Sequence, residues 1–152
     1  MIVNYNPKQK IMNETGKNIL IIFIIGTLVF AIGSGFFNQF QYDSINDFLI
    51  EFSIYQLYAF VLGFSNMIYF KYLEKLKWEE GARAKRIAIG ILGSTIISVL
   101  GIFIIRMSLS VLYFGNSFNQ YWNGEKLENF YFGIWITSTA TITFHVIYFY
   151  NK

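Results

Sequence analysis

The sequence predicts an all-α fold, a four-helix bundle integral to a membrane with both chain ends on the cytoplasmic side. Composition is the first reason: 55% of residues are apolar, 20% aromatic and only 14% charged, with positive mean hydropathy, which an ordinary water-soluble domain does not show. The second reason is that the charge is missing in blocks. Residues 19–37, 48–70, 87–114 and 130–150 are nearly free of it, and a hydrocarbon core about 30 Å thick needs roughly 20 helical residues at about 1.5 Å each. Buried helices of a soluble protein keep a polar face every turn, which these blocks lack. Barrel strands are about half as long and alternate.

The third reason is where the basic residues fall, since short cytoplasmic segments retain Lys and Arg. The segment before the first block holds Lys8, Lys10 and Lys17; the hairpin 71–86 holds Lys71, Lys75, Lys77, Arg83, Lys85 and Arg86; Lys152 follows the last block. The link NQFQYDSIND has no basic residue, and GNSFNQYWNGEKLEN has only Lys126. The charge-rich hairpin 71–86 is therefore the cytoplasmic turn, and 1–152 reads as a single transmembrane domain with both ends on the cytoplasmic side. Net charge +3 follows from this orientation, so the basic patch calls for no nucleic acid; its partner is the lipid bilayer.

Taking the elements in order, the first block is an uncleaved anchor, because its apolar run continues through Phe36 and Phe37 past the small residues AIGSG. It carries Thr27, Ala31 and Gly35 at a spacing of four, one face of a helix. The second block carries Ala59 and Gly63 in the same way, and Leu73, Leu76 and Trp78 could extend it as an amphipathic turn on the membrane surface. The third block carries Gly90, Ser94 and Ser98 and is longer than a span requires, so it tilts or projects. The fourth carries Gly133, Thr137 and Thr141, within TSTAT, whose hydroxyls can bond one turn back or across to a neighbour. Small residues let helix backbones approach where lipid offers no hydrophobic drive. Aromatic belts mark the ends: Phe36, Phe37, Tyr42, Tyr113, Tyr121, Trp122, Tyr131 and Trp135 outside, and Tyr69, Tyr72, Trp78, Tyr148 and Tyr150 inside.

Arg106 is the most informative side chain, because a charge inside a span costs at least about 2.5 to 3.5 kcal/mol. Its expected partner is Glu51 at similar depth, with Gln56 completing the hydrogen bonds, as a bundle clamp or part of a ligand-sensing pocket; the alternative is that it snorkels to the surface. His145 is expected to pack at the inner interface with one hydrogen bond, or else to serve as a proton-sensitive relay. Asn66 is expected to bond between helices. There is no cysteine and no phosphate loop, zinc pattern, nucleophile elbow or carboxylate cluster. No cofactor, metal site or enzymatic activity is expected of these residues.

The hairpin into the third block, EEGARAKRIAIGILGS, and the exit of the fourth, TFHVIYFYNK, resemble the four-span membrane region of bacterial sensor histidine kinases of the autolysin-sensor type. The resemblance spans essentially the whole chain and rests on hydropathy and loop features. It implies a sensory and anchoring module, a homodimer, and a chain that continues past Lys152 into a cytoplasmic kinase domain acting on a response regulator. None of the kinase residues falls within 1–152. Two other classes remain open: a small transporter or channel subunit lined by the hydroxyls of the fourth block and Arg106, and a non-catalytic accessory subunit of a larger membrane complex.

Overall fold

The computed structural model describes residues 7–37, 39–77 and 81–150, with side chains described from Thr15 to Thr139 apart from positions 38, 78–80 and 83. The elements are α1 (Pro7–Phe37), α2 (Ile45–Lys75), α3 (Arg83–Ser108) continued by a wider π turn (Leu109–Tyr113), α4 (Phe118–Gly124) and α5 (Glu128–Tyr150). Among the described residues there is no strand. Among the described residues three stretches are long and apolar enough to cross a membrane: Thr15–Phe37, Ile45–Lys75 and Ala84–Tyr113. The helices exceed the expected blocks at several ends, so residues 71–75 and 83–86 on the two sides of the expected hairpin are helical. Leu73 is no surface turn: it is buried in the last turn of α2. Trp78 lies outside the described residues.

The links follow local chemistry. After α1 the chain turns through Gln39 and Phe40, both with positive φ, and the Phe40 amide returns to the Ser34 carbonyl. Ser44 then caps α2, its Oγ accepting from the Asp47 amide and donating to the Asp47 carboxylate. This Ser-x-x-Asp arrangement satisfies amides that the first turn leaves unpaired. Gly115 (φ 68°) ends the π turn in a left-handed conformation that glycine adopts without steric cost.

The chain forms two compact units, Met1–Gly63 and Phe64–Lys152, with α2 running from the first into the second. In the first unit α1 turns Ile22, Gly26, Phe30, Gly33 and Ser34 toward α2. Phe30, 5% exposed, inserts edge-on among Phe48, Phe52 and Tyr55 at centroid separations of 5.2 to 5.5 Å. Such edge-to-face pairs add about 0.5–1.5 kcal/mol beyond the area they bury. Gly26 and Gly33 make room: a β-carbon at Gly26 would lie 2.7 Å from that of Ala59, and one at Gly33 would collide with the Tyr55 ring. The contact face on α1 is therefore one position away from the expected ladder. Thr27 borders it, whereas Ala31 is exposed and Gly35 lies beside Phe40.

In the second unit α3 packs against α5 and, on the half nearer its N-terminal end, against the last turns of α2. Gly90, Ser94, Ser98 and Ile102 line one buried face, and Ile102 fills the space beside Gly133 of α5. The opposite face carries Leu92, Ile96, Leu100 and Ile104, all more than half exposed. α1 shows the same arrangement, with Leu20, Ile24 and Leu28 outward and the Ser34 side chain fully enclosed. Large aliphatic side chains outside and hydroxyls inside invert the order that water imposes, and match what lipid allows.

Gly26→Ala is expected to destabilise the protein by about 1–3 kcal/mol, because Ala59 and Gln56 leave no space. Gly16→Ala, with nothing within 4 Å, is expected to stabilise α1 by about 0.5–1 kcal/mol. Unfolding of both variants in detergent checks the contrast.

Candidate functional site

The polar side chains inside the apolar helices gather into separate groups in each unit. In the first unit, Gln56 reaches from α2 to α1, where its Nε2 donates to Thr27 Oγ1 at 3.1 Å. Thr27 in turn donates to the Phe23 carbonyl at 2.9 Å. The other end of the amide, Gln56 Oε1, is buried without a partner, pressed toward the bare backbone of Gly26. Nearer the Gln39–Phe40 turn a relay runs from Tyr42 through Ser34 to Glu51: the Tyr42 hydroxyl donates to Ser34 Oγ at 2.8 Å, and Ser34 donates to Glu51 Oε1 at 2.9 Å. Both hydroxyls of this relay donate in the direction of the Glu51 carboxyl group.

The second unit holds a closed node around Asn66. Ser94 Oγ donates to Asn66 Oδ1 at 2.6 Å, and Asn66 Nδ2 donates to Ser98 Oγ at 3.0 Å. Both serines are 0% exposed, and they lie four residues apart, so one amide meets both with its two ends. One turn further along α2 the Tyr69 hydroxyl donates to the Ile89 carbonyl at 2.7 Å. Its ring occupies the space a side chain at Gly93 would need. A Gly residue at this point is what lets a tyrosine reach the backbone of the neighbouring helix.

The charged group lies at the far end of α3. Arg106 Nε donates to Glu125 Oε1 at 2.9 Å, and the guanidinium stands 5.9 Å from the centre of the Phe130 ring. Asn129, in the first turn of α5, donates to the same carboxylate oxygen at 2.8 Å. Tyr121 is buried with its hydroxyl beside both charges. Burial, then the neighbouring Glu125, pushes its pKa up to about 12. For Glu125 burial acts upward, but hydrogen bonding from Asn129 and Arg106, the nearby Tyr121 hydroxyl and the Arg106 charge outweigh it and hold the carboxyl below its usual range.

Arg106 takes Glu125 of its own unit, while in the first unit Glu51 accepts from Ser34 and Gln56 donates to Thr27; the expected pairing of Arg106 with Glu51 and Gln56 would join the two units and is untouched by this geometry. The Arg106–Glu125 pair follows from chain closure. Glu125 follows Arg106 by nineteen residues and is returned to it by α4, which a full capping box starts: Ser117 accepts from the Gln120 amide at 3.3 Å and the Ser117 amide donates to Gln120 Oε1 at 2.7 Å. The Ser-x-x-Gln signal in the sequence marks this helix, and it turns what reads as an outer loop into a scaffold for the carboxylate.

On α5 the Thr137 and Thr139 hydroxyls bond back to the carbonyls of Gly133 and Trp135, each at 2.8 Å. The side chains of Thr141 and His145 lie outside those described, so the expectations placed on them are untouched by this geometry. Among the described residues no group of three His, Cys, Asp or Glu side chains comes together as a metal site would require.

Asn66→Leu is expected to cost about 1–2 kcal/mol, since it removes the acceptor of the enclosed Ser94 and the donor to the enclosed Ser98. Gln56→Met, which removes one bond along with an unpaired oxygen, is expected to stay within about 1 kcal/mol of the wild type. Denaturant or thermal unfolding in detergent separates the two. A carboxyl whose folded pKa lies below its unfolded value contributes stability above the unfolded value, and that contribution fades as pH falls through the folded one. Acid unfolding should therefore be shallower in Glu125→Gln than in the wild type over that window, and the variant should be less stable near neutral pH by about 1–2 kcal/mol, the partial exposure of Arg106 limiting the loss.

Comparison with protein-family profiles, with characterised proteins and with solved structures finds no match for this chain.

Proposed function

We propose that this chain is a sensory and anchoring module of a bacterial cytoplasmic membrane, with four spans and both ends on the cytoplasmic side. In this reading α5 is the fourth span, and it passes a change in packing at the outer end of α3 to a cytoplasmic kinase domain continuing from it. The observation that carries the reading is the double engagement of Glu125, which accepts from Arg106 of α3 and from Asn129 in the first turn of α5. One carboxylate therefore ties the outer end of α3 to the start of the helix that would carry the signal inward. Ile102 against Gly133 continues the contact between the same two helices. A rotation or piston shift of a packed helix is an established way for such a bundle to report a local change.

The orientation rests on the distribution of Lys and Arg, and lipid as surroundings on the three stretches long enough to cross a membrane and on the outward Leu and Ile rows. The Thr137 and Thr139 bonds to their own helix favour packing over the lining of a conduit.

The chain lacks cysteine, so single cysteines report without interference. In intact cells Leu76→Cys should resist a membrane-impermeant maleimide, while Gln41→Cys and Asn123→Cys should react; the reverse pattern overturns the orientation. In membranes, disulfide cross-linking of Phe149→Cys between two copies should change in yield when Glu125→Gln is added. An unaltered yield overturns transmission through α5.

A further inference from the structure

Between Arg106 and Glu125 the sequence MSLSVLYFGNSFNQYWNG contains no charged residue. The two charges that flank it are joined to each other at 2.9 Å, so the whole hairpin of π turn, Gly115 turn and α4 closes on itself with no net charge. Residues that stand in water between two membrane spans rarely need such neutrality, whereas a segment lying in lipid does, because each unpaired charge costs several kcal/mol there.

Where α4 sits points the same way. Trp122 meets Phe103 edge-on at 6.1 Å and stacks on Phe118 at 6.1 Å, while Tyr121 meets Phe103 at 5.7 Å. Phe103 precedes the end of the π turn at Tyr113 by ten residues, about 15 Å along the axis at about 1.5 Å per residue. The membrane-crossing stretch Ala84–Tyr113 has 30 residues, about 45 Å, against a hydrocarbon core of about 30 Å. Centred, it leaves about 7 Å at each end in the headgroup zone. A helix whose aromatic face is held at the level of Phe103 has therefore folded back to the boundary of the hydrocarbon or below it. Phe103 also adjoins Ile104, the last member of the outward Leu92–Ile96–Leu100–Ile104 row, so the exposed rings of Phe118 and Trp122 continue the surface that this row presents.

We propose that α4 is an interfacial helix, docked by Phe118 and Trp122 into the glycerol region of the outer leaflet, with the Arg106–Glu125 pair holding it against α3. The occupant of the aromatic surface is lipid. Rings with an apolar body and a polar edge suit that zone, and the neighbouring Asn119 and Asn123 supply the polar side that an in-plane helix keeps toward water. The proposal rests on the reading that α3 crosses a membrane.

The test is the depth of Trp122 in vesicles of phosphatidylcholine. In W78F/W135F, which leaves Trp122 as the sole tryptophan, fluorescence should be quenched several-fold more by lipids brominated near the glycerol end of the chain than by lipids brominated near the methyl end. Aqueous iodide should quench it weakly. Ile96→Trp in the W78F/W122F/W135F background reports the middle of α3 and should prefer the methyl-end quencher. Strong iodide quenching of Trp122, with Ile96→Trp still quenched by lipid, overturns the docking of α4 and leaves the membrane span standing. Protection of Trp122 from both iodide and brominated lipid assigns the surface to protein and also overturns it. Loss of lipid quenching at both positions removes the membrane reading itself. Added to W78F/W135F, Glu125→Ala should raise iodide quenching of Trp122, because the carboxylate no longer ties the hairpin to α3.

Discussion

Close backbone approach is the condition on which both units depend. Where lipid replaces water, helices gain little by hiding leucine from their surroundings, and the attraction between them comes from dispersion and from hydrogen bonds that need short separations. Gly26 against Ala59, Gly33 against Tyr55, Gly93 against Tyr69 and Gly133 against Ile102 supply those separations. Each bond between helices described above is a consequence. Asn66 can span two serines, and Tyr69 can reach a carbonyl of α3, only because the facing residues have little or no side chain.

The two amides that cross between helices show how differently such contacts are finished. Asn66 uses its oxygen and its nitrogen on the same row of α3, so its position along the helix is fixed in both directions. Gln56 commits its nitrogen to Thr27 and leaves its oxygen buried and unpaired, which costs part of what the bond contributes. A polar group inside an apolar assembly gives most of its specificity when every donor and acceptor is used. By that measure the Asn66 node sets the register of its unit, and the Phe30 ring cluster does most of that work in the other.

Much of the helical architecture was legible from hydropathy alone, because an apolar run of membrane-crossing length has few alternatives. On α3, Gly90, Ser94 and Ser98 recur at the helical period, with Gly93 and Thr95 the other small residues between them. On α1 the small residues are interleaved, and spacing could not choose between the face of Thr27, Ala31 and Gly35 and the adjacent one; Phe30, a large residue inserted among rings, decides it. Matching Arg106 to Glu51 by depth takes no account of Glu125, which the chain folds back onto Arg106. The Ser117–Gln120 box carries that information, since a capped helix within the short segment between α3 and α5 returns its end toward its beginning.

The π turn at the C-terminal end of α3 takes in one more residue per hydrogen-bonded ring than an α turn does. Removing one residue between Leu109 and Tyr113 could thus be absorbed by reverting to ordinary α geometry, with nothing upstream re-phased. The same deletion between Gly90 and Ser98 would swing everything beyond it by about 100°, carrying hydroxyls out to the hydrocarbon and leucines into the seam. Length variation among sequences related to this one should therefore collect in the π turn and be missing from the serine row.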